Sequence, residues 1–152
     1  MAWGSHSSKH RAVARFYRRR MSIHVTLRYD DARAAIAYLT GTLGSTEQHL
    51  SSTEDGGVGH AERSFGDDIL MIGSRRSVPG ATPDPFDTGR AVVHLALDAP
   101  DAVDAHNARA VAAGADAVQD LVDQPYGSRE YAVRDPEGNA WSLGSYRPQV
   151  TP

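Results

Sequence analysis

The chain states one pattern twice. Residues 23–27 read Ile-His-Val-Thr-Leu, and residues 93–97, seventy positions on, read Val-His-Leu-Ala-Leu. The same offset carries Asp31-Ala32 to Asp101-Ala102 and Gly44 to Gly114. One insertion later, Ile72-Gly73-Ser74 is answered by Leu143-Gly144-Ser145. A match this long is a whole supersecondary unit copied once, so the two halves fold alike. It also sets His24 and His94 at equivalent places, and the functional question is what those two side chains face.

The first copy opens with alternation. Ile23, Val25, Leu27 and Tyr29 fall on one face and His24, Thr26 and Arg28 on the other, which predicts a half-buried strand. Asp30-Asp31 supplies a helix N-cap. Ala32–Leu39 forms a helix with Ile36 and Leu39 inward, ended by Gly41 and Gly44. A polar strand over 45–53 leads to a hairpin turn at Glu54-Asp55-Gly56-Gly57. A strand over Val58–Phe65, a tight turn at Gly66-Asp67 and a short apolar strand over Ile69–Gly73 complete the unit. Its order is βαβββ. The second copy gives a strand over Ala91–Leu97 and a helix capped by Asp101, running through Ala113 and stopped by Gly114. Strands follow over Ala117–Leu121, Glu130–Arg134 and Ala140–Tyr146, with a loop over Asp123–Ser128 and a tight turn at Asp135-Pro136-Glu137-Gly138. Two such units make an α+β protein of eight strands and two helices. Each unit alone leaves a sheet face uncovered, so the modules must pair, and the faces left after helix packing are expected to curl around a shared cavity.

On this reading residues 1–20 are a basic arm, 21–74 the first module and 75–90 a linker rich in proline and glycine. Residues 91–147 are the second module and 148–152 a tail. At 152 residues the chain is one domain, or two small modules sharing a core. It has no cysteine, which excludes disulfides, thiolate catalysis and cysteine-based zinc sites. No apolar run approaches the ~20 residues of a membrane span, and the start lacks the apolar core of a secretory signal. A soluble cytoplasmic protein is expected.

The arm holds Lys9, Arg11, Arg15, Arg18, Arg19 and Arg20 and no acid, so the remainder sets ten basic against 19 acidic side chains. An acidic body argues against nucleic acid as the main partner. The arm reads as a solvated extension, with Met21 opening the domain proper and Ala12–Arg20 a short helix bearing Val13, Phe16 and Tyr17 on one face. Gly56-Gly57-Val58-Gly59 sits in a hairpin with no helix after it, so it is not a phosphate loop. No nucleophile elbow is present. His106 and Asp104, on the second helix, are expected to face solvent.

The segments His24-Val-Thr-Leu-Arg-Tyr-Asp-Asp, His94-Leu-Ala-Leu and Asp135-Pro-Glu-Gly-Asn-Ala-Trp-Ser resemble the vicinal oxygen chelate superfamily. Its members include glyoxalase I, extradiol dioxygenases, metal-dependent epimerases and bleomycin-resistance proteins. Ala112-Ala-Gly-Ala and Tyr126-Gly-Ser-Arg are most similar to its PhnB-like branch. The resemblance covers roughly residues 22–146 and implies two βαβββ modules paired around a cavity, commonly in homodimers, sometimes with modules exchanged between chains. In metal-using members the first, fourth, fifth and eighth strands each lend one ligand, in the order histidine, glutamate, histidine, glutamate. Carried over, these positions fall on His24, Met71, His94 and Ser142: both histidines are kept and both carboxylates are missing.

Two imidazoles without a carboxylate make a weak site for a divalent metal such as zinc, nickel, iron or manganese. Glu62, with His60 on the neighbouring strand, is the residue that could complete one. Without metal, glyoxalase-type proton transfer loses its Lewis acid and extradiol cleavage its iron. What remains is a pocket for a small aromatic or anionic molecule, lined by His24, Thr26, Arg28, Met71, His94, Ser142 and Arg129, with Tyr126 on the Pro125–Arg129 loop covering it. Trp141 is the alternative to Ser142 in that lining, since alternation puts the two on opposite faces, and core packing is its other reading. The expected function is therefore metal-free small-molecule binding. The alternative is a metal-dependent lyase, isomerase or dioxygenase with an unusual ligand set.

Overall fold

A computed structural model describes residues 24–75 and 89–148. The basic arm with its expected helix, most of the linker and the end of the tail lie outside the described residues. The first module runs β1 (Val25–Tyr29), α1 (Ala32–Gly41), β2 (Thr46–Ser52), β3 (Val58–Phe65) and β4 (Asp68–Ser74). The second runs β5 (Val92–Ala96), α2 (Pro100–Ala112), β6 (Asp116–Asp123), β7 (Arg129–Arg134) and β8 (Ala140–Gly144). Both are βαβββ units, and each forms its own four-stranded sheet, ordered β1-β4-β3-β2 and β5-β8-β7-β6. The β1–β4 and β5–β8 pairs are parallel, the rest antiparallel. A parallel pair needs a crossover, and here the helix and two strands between its members supply it.

Each element follows from local chemistry. The Asp31 side chain accepts from the Ala34 N–H and caps α1. Gly44, Gly114 and Gly138 take positive φ at the turns that follow α1, α2 and β7. One expectation is corrected. Asp101 does not cap α2. The N-cap is Ala99, and Pro100 opens the helix, because its fixed φ and missing N–H suit the first helical position. The Asp101 carboxylate lies inside the first turn and accepts from the Ala102 N–H.

Alternation decides what each sheet covers. Leu27, Tyr29, Leu70 and Ile72 point to the α1 side, against Ala32, Ala35 and Leu39. Tyr131, Val133, Trp141 and Leu143 point to the α2 side, against Val103 and Ala110. These residues form one continuous cluster, in which Phe65 of the first module meets the Trp141 ring of the second at 6.1 Å. The modules thus pair through their helix-bearing sides, and each keeps a helix-free sheet face.

The β7–β8 turn fastens the modules together. The buried Asp135 carboxylate accepts from the Tyr29 hydroxyl at 2.7 Å, Trp141 Nε1 at 3.1 Å and Asn139 Nδ2 at 3.0 Å. It also accepts from the backbone N–H groups of Glu137 and Asn139. Two residues on, the Glu137 carboxylate accepts from the N–H groups of Asp30 and Asp31 at 2.6 and 2.8 Å, at the start of α1. A negative group beside unsatisfied N–H donors at a helix start is favourable for charge as well as hydrogen bonding. Burial, reinforced by Asp135, pushes the Tyr29 hydroxyl far above the ordinary tyrosine range, so it stays a donor.

His106 is a second correction. It is only 7% exposed. Its Nε2 donates to the Leu43 carbonyl of the first module at 3.2 Å, and its Nδ1 accepts from the Tyr131 hydroxyl at 2.6 Å. Burial, followed by the Arg109 charge, lowers its pKa despite the Leu43 bond. Docking of the other module turned a surface position of α2 into an interior one. Among the described residues no helix is long and apolar enough to cross a membrane.

Candidate functional site

His24 and His94 both lie on helix-free faces, as alternation predicts, but their settings differ. The His24 Nδ1 lies 3.3 Å from the Ile69 carbonyl. A carbonyl only accepts, so Nδ1 carries the proton. The His94 Nε2 lies 2.9 Å from the Tyr146 carbonyl and therefore carries its proton. Its Nδ1 then accepts from the Ser142 hydroxyl at 3.2 Å. Equivalent residues are held in opposite tautomers by different neighbours.

The sheet registers assemble a row on each face. In the first module Thr26 pairs with Met71, Met71 with Glu62 and Glu62 with His49. Glu62 is thus beside Met71, and its Oε1 meets His60 Nε2 at 3.1 Å. The His49 and His60 rings are 5.8 Å apart. Arg28 pairs with Gly73 and lies across it: a Cβ there would come within 2.1 Å of the guanidinium. In the second module His94 pairs with Ser142, and Ser142 with Ala132. Glu130 pairs with Gly144 and lies across that glycine, 2.6 Å from where a Cβ would stand. The repeat therefore sets equivalent glycines under opposite charges.

Tyr126 reaches the second face. Its hydroxyl donates to Glu130 Oε2 at 2.8 Å, which raises its pKa, and its ring meets Tyr146 edge-on. Arg129 does not reach that face, which corrects the expectation. It shares the helix side with Tyr131 and is held by Asp104 and Asp123. Strand alternation separates it from Ser142, and the two carboxylates fix it there. Trp141 is fully buried, which decides between its two readings in favour of the core.

His49, Glu130 and Tyr146 are contributors that sequence reasoning missed. Glu130 was within reach as the residue facing Gly144 across the last hairpin. His49 was not, because a register shift between Glu47 and His49 breaks the alternation of β2.

Two cavities lie among the described residues. A groove of about 500 Å³ runs between the modules, walled by Val25, Phe65, Leu70, Leu95 and Trp141. His94 is the one candidate residue on its lining. A polar pocket of about 830 Å³ lies by the β7–β8 turn, around Arg75, Arg134, Asp116 and Tyr38. Burial, then Asp135 and Asp116, push the Tyr38 hydroxyl up to about 12. Neither cavity contains both His24 and His94. Each histidine stands on the helix-free face of its own sheet, because the helix-bearing sides claimed the pairing surface.

The donor set does not fit a divalent metal. Met71 and Ser142 occupy the carboxylate positions, and both ring nitrogens of His94 are engaged. Among the described residues, no group of three or more His, Asp or Glu converges as a metal site would require.

Comparison with known proteins agrees with this architecture. Residues 22–143 match the model of the Glyoxalase/Bleomycin resistance protein/Dioxygenase superfamily. The uncharacterized proteins Mb0911c of Mycobacterium bovis and Rv0887c of Mycobacterium tuberculosis are each 34% identical over 119 residues, 76% of this chain. The match spans 76% and 68% of their respective lengths. TioX from Micromonospora sp. ML1 superimposes with a TM-score of 0.69 and 30% identity, over 84% of this chain and 99% of that one. A lactoylglutathione lyase from Agrobacterium tumefaciens superimposes with a TM-score of 0.64, over 82% of this chain and 92% of that one, but at 20% identity the likeness is one of fold. With two paired βαβββ modules and a match over most of its length, the chain belongs to the glyoxalase/bleomycin resistance protein/dioxygenase superfamily.

Proposed function

We propose that this protein binds a small aromatic molecule on its helix-free sheet faces without a complete metal site, and that it does so as a homodimer. The observation that carries the reading is the second face. His94, Tyr146 and Tyr126 lie there side by side, with Ser142 hydrogen-bonded to His94 and Glu130 to Tyr126. Exposed rings beside a few fixed polar groups are what a planar ligand needs. The anionic alternative is weaker, since of its two arginines Arg129 is held by Asp104 and Asp123 on the other side of the sheet.

A second copy supplies what one chain lacks. Each face is open, so covering the His24 face of one chain with the His94 face of another would enclose a site bearing both histidines. The alternative, a metal-dependent lyase, isomerase or dioxygenase, needs a carboxylate, and the two that stand on the helix-free faces, Glu62 and Glu130, are already engaged by His60 and Tyr126. Within the superfamily we read the chain as PhnB-like, on Tyr126–Arg129 and the turn at Asp135, and as cytoplasmic.

Elemental analysis of untagged protein tests the metal-free half. Less than stoichiometric zinc, nickel, iron and manganese is expected. Stoichiometric metal lost in both His24→Ala and His94→Ala overturns it. Sedimentation at micromolar protein tests the assembly, where a monomeric mass overturns the dimer.

A further inference from the structure

The second helix-free face combines exposed rings with one buried charge. Tyr126 and Tyr146 are 63% and 51% exposed, whereas Tyr29 and Tyr131 are sealed in the core. Their ring centroids lie 6.2 Å apart at 78°, and Tyr146 in turn lies 6.3 Å from the His94 ring. Val122, opposite Glu130 in the register, and Val92, two residues before His94, add exposed apolar surface on the same face. Among these groups sits the Glu130 carboxylate, only 7% exposed. Its Oε2 is occupied by the Tyr126 hydroxyl, while Oε1 lies over Gly144, where any side chain larger than hydrogen would displace it.

Among the described residues, the arginines nearest in the chain are engaged elsewhere, Arg147 with the Ala96 carbonyl and Asp98. Arg129 is on the helix side with Asp104 and Asp123, and Arg134, at the far end of β7, pairs with Asp116 at 3.6 Å. A carboxylate so little hydrated, next to the electron-rich faces of two tyrosines, attracts cations twice over. The charge pairs with the carboxylate, and the ring quadrupoles add cation–π attraction. An anion meets repulsion from both sources.

We infer that the ligand of this face is an aromatic cation, a planar ring carrying an ammonium or ring-nitrogen charge, stacked on Tyr146 with its charge at Glu130 Oε1. The inference rests on the reading that the helix-free faces bind a small aromatic molecule, and it narrows that reading to one charge class.

Fluorescence titration of the full chain with proflavine, a planar cation, and with 8-anilinonaphthalene-1-sulfonate, a planar anion, tests it. Proflavine is expected to bind at least about tenfold more tightly than the sulfonate. Glu130→Gln retains an acceptor for the Tyr126 hydroxyl and removes the charge. It is expected to weaken proflavine about tenfold and to leave the sulfonate unchanged or improved. Tyr146→Ala, at an exposed position that the core does not need, is expected to weaken proflavine as well. Equal affinities, a preference for the sulfonate, or unchanged proflavine binding in Glu130→Gln or Tyr146→Ala overturns the charge assignment. If the sulfonate binds and proflavine does not, small-molecule binding survives and the cation does not. If neither probe binds at millimolar concentration, both readings fall together.

Discussion

The two helix-free faces are built on the same backbone and carry opposite chemistry. On the first, Arg28 lies across Gly73, with His24, His49 and His60 on the same face. On the second, Glu130 lies across Gly144, and Tyr146 stands between His94 and Tyr126. The duplicated glycines keep the same room open, but the side chain that fills it comes from a different strand, β1 in one case and β7 in the other. Duplication therefore preserved strands and cradles, while cross-strand neighbours set the charge. The histidines repeat the lesson, with the same residue at the same place fixed in opposite tautomers.

The module ends differ even more, and this sets the largest expected effect. The β7–β8 turn holds Asp135 under five donors, whereas the β3–β4 turn offers only Phe65 at the corresponding place, packed on Trp141. Asp135→Ala orphans buried donors from both modules and should cost about 4 kcal/mol in chemical denaturation. A loss below about 1 kcal/mol would mean that the turn is not what fastens the modules.

The glycine cradles come next. Gly144→Ala drives a Cβ into Glu130 Cγ, close to the backbone of a buried residue, and is expected to cost about 2 kcal/mol. Gly73→Ala meets the tip of Arg28, which can swing away. It should cost less than about 1 kcal/mol despite the shorter contact. Equal losses in urea titrations would remove the asymmetry between the faces.

A pH effect is expected of His106. Because the folded protein lowers the His106 pKa, the unfolded chain binds the proton more readily. The stability that His106 contributes is full above the unfolded pKa of about 6.5 and is lost as pH falls below it. His106→Gln should flatten the dependence of the urea midpoint on pH over that window, and an unchanged dependence would remove His106 as its source. Arg109, Tyr131 and the Leu43 carbonyl are the groups that act on the ring. The smallest effect belongs to Arg129→Ala. Its ion pairs are largely solvated, so an unchanged urea midpoint and no change in ligand binding are expected. A clear loss of binding would put Arg129 back at the site.

Much of the fold was legible because its signals are local. Alternation over a few residues marked β1 and β3, Asp31 marked the start of α1, and the seventy-residue repeat copied the order of elements. At the site, the same alternation put His24 and His94 on helix-free faces. Apart from the start of α2, where Pro100 rather than Asp101 sets the boundary, the misses are non-local. Arg129 was misplaced because its partners Asp104 and Asp123 lie on other elements. His106 was misread because the group that buries it belongs to the other module.

The sequence by itself determined two βαβββ units and the faces of their strands, since strand and helix periods depend only on near neighbours along the chain. Only the tertiary structure decided that the helix-bearing sides would pair, leaving His24 and His94 on separate faces. It also decided that Glu130 and Tyr146 would stand beside His94. The physical reason is burial. The larger apolar surface lay on the sides under α1 and α2, and removing it from water fixed the pairing and, with it, which polar groups stayed accessible.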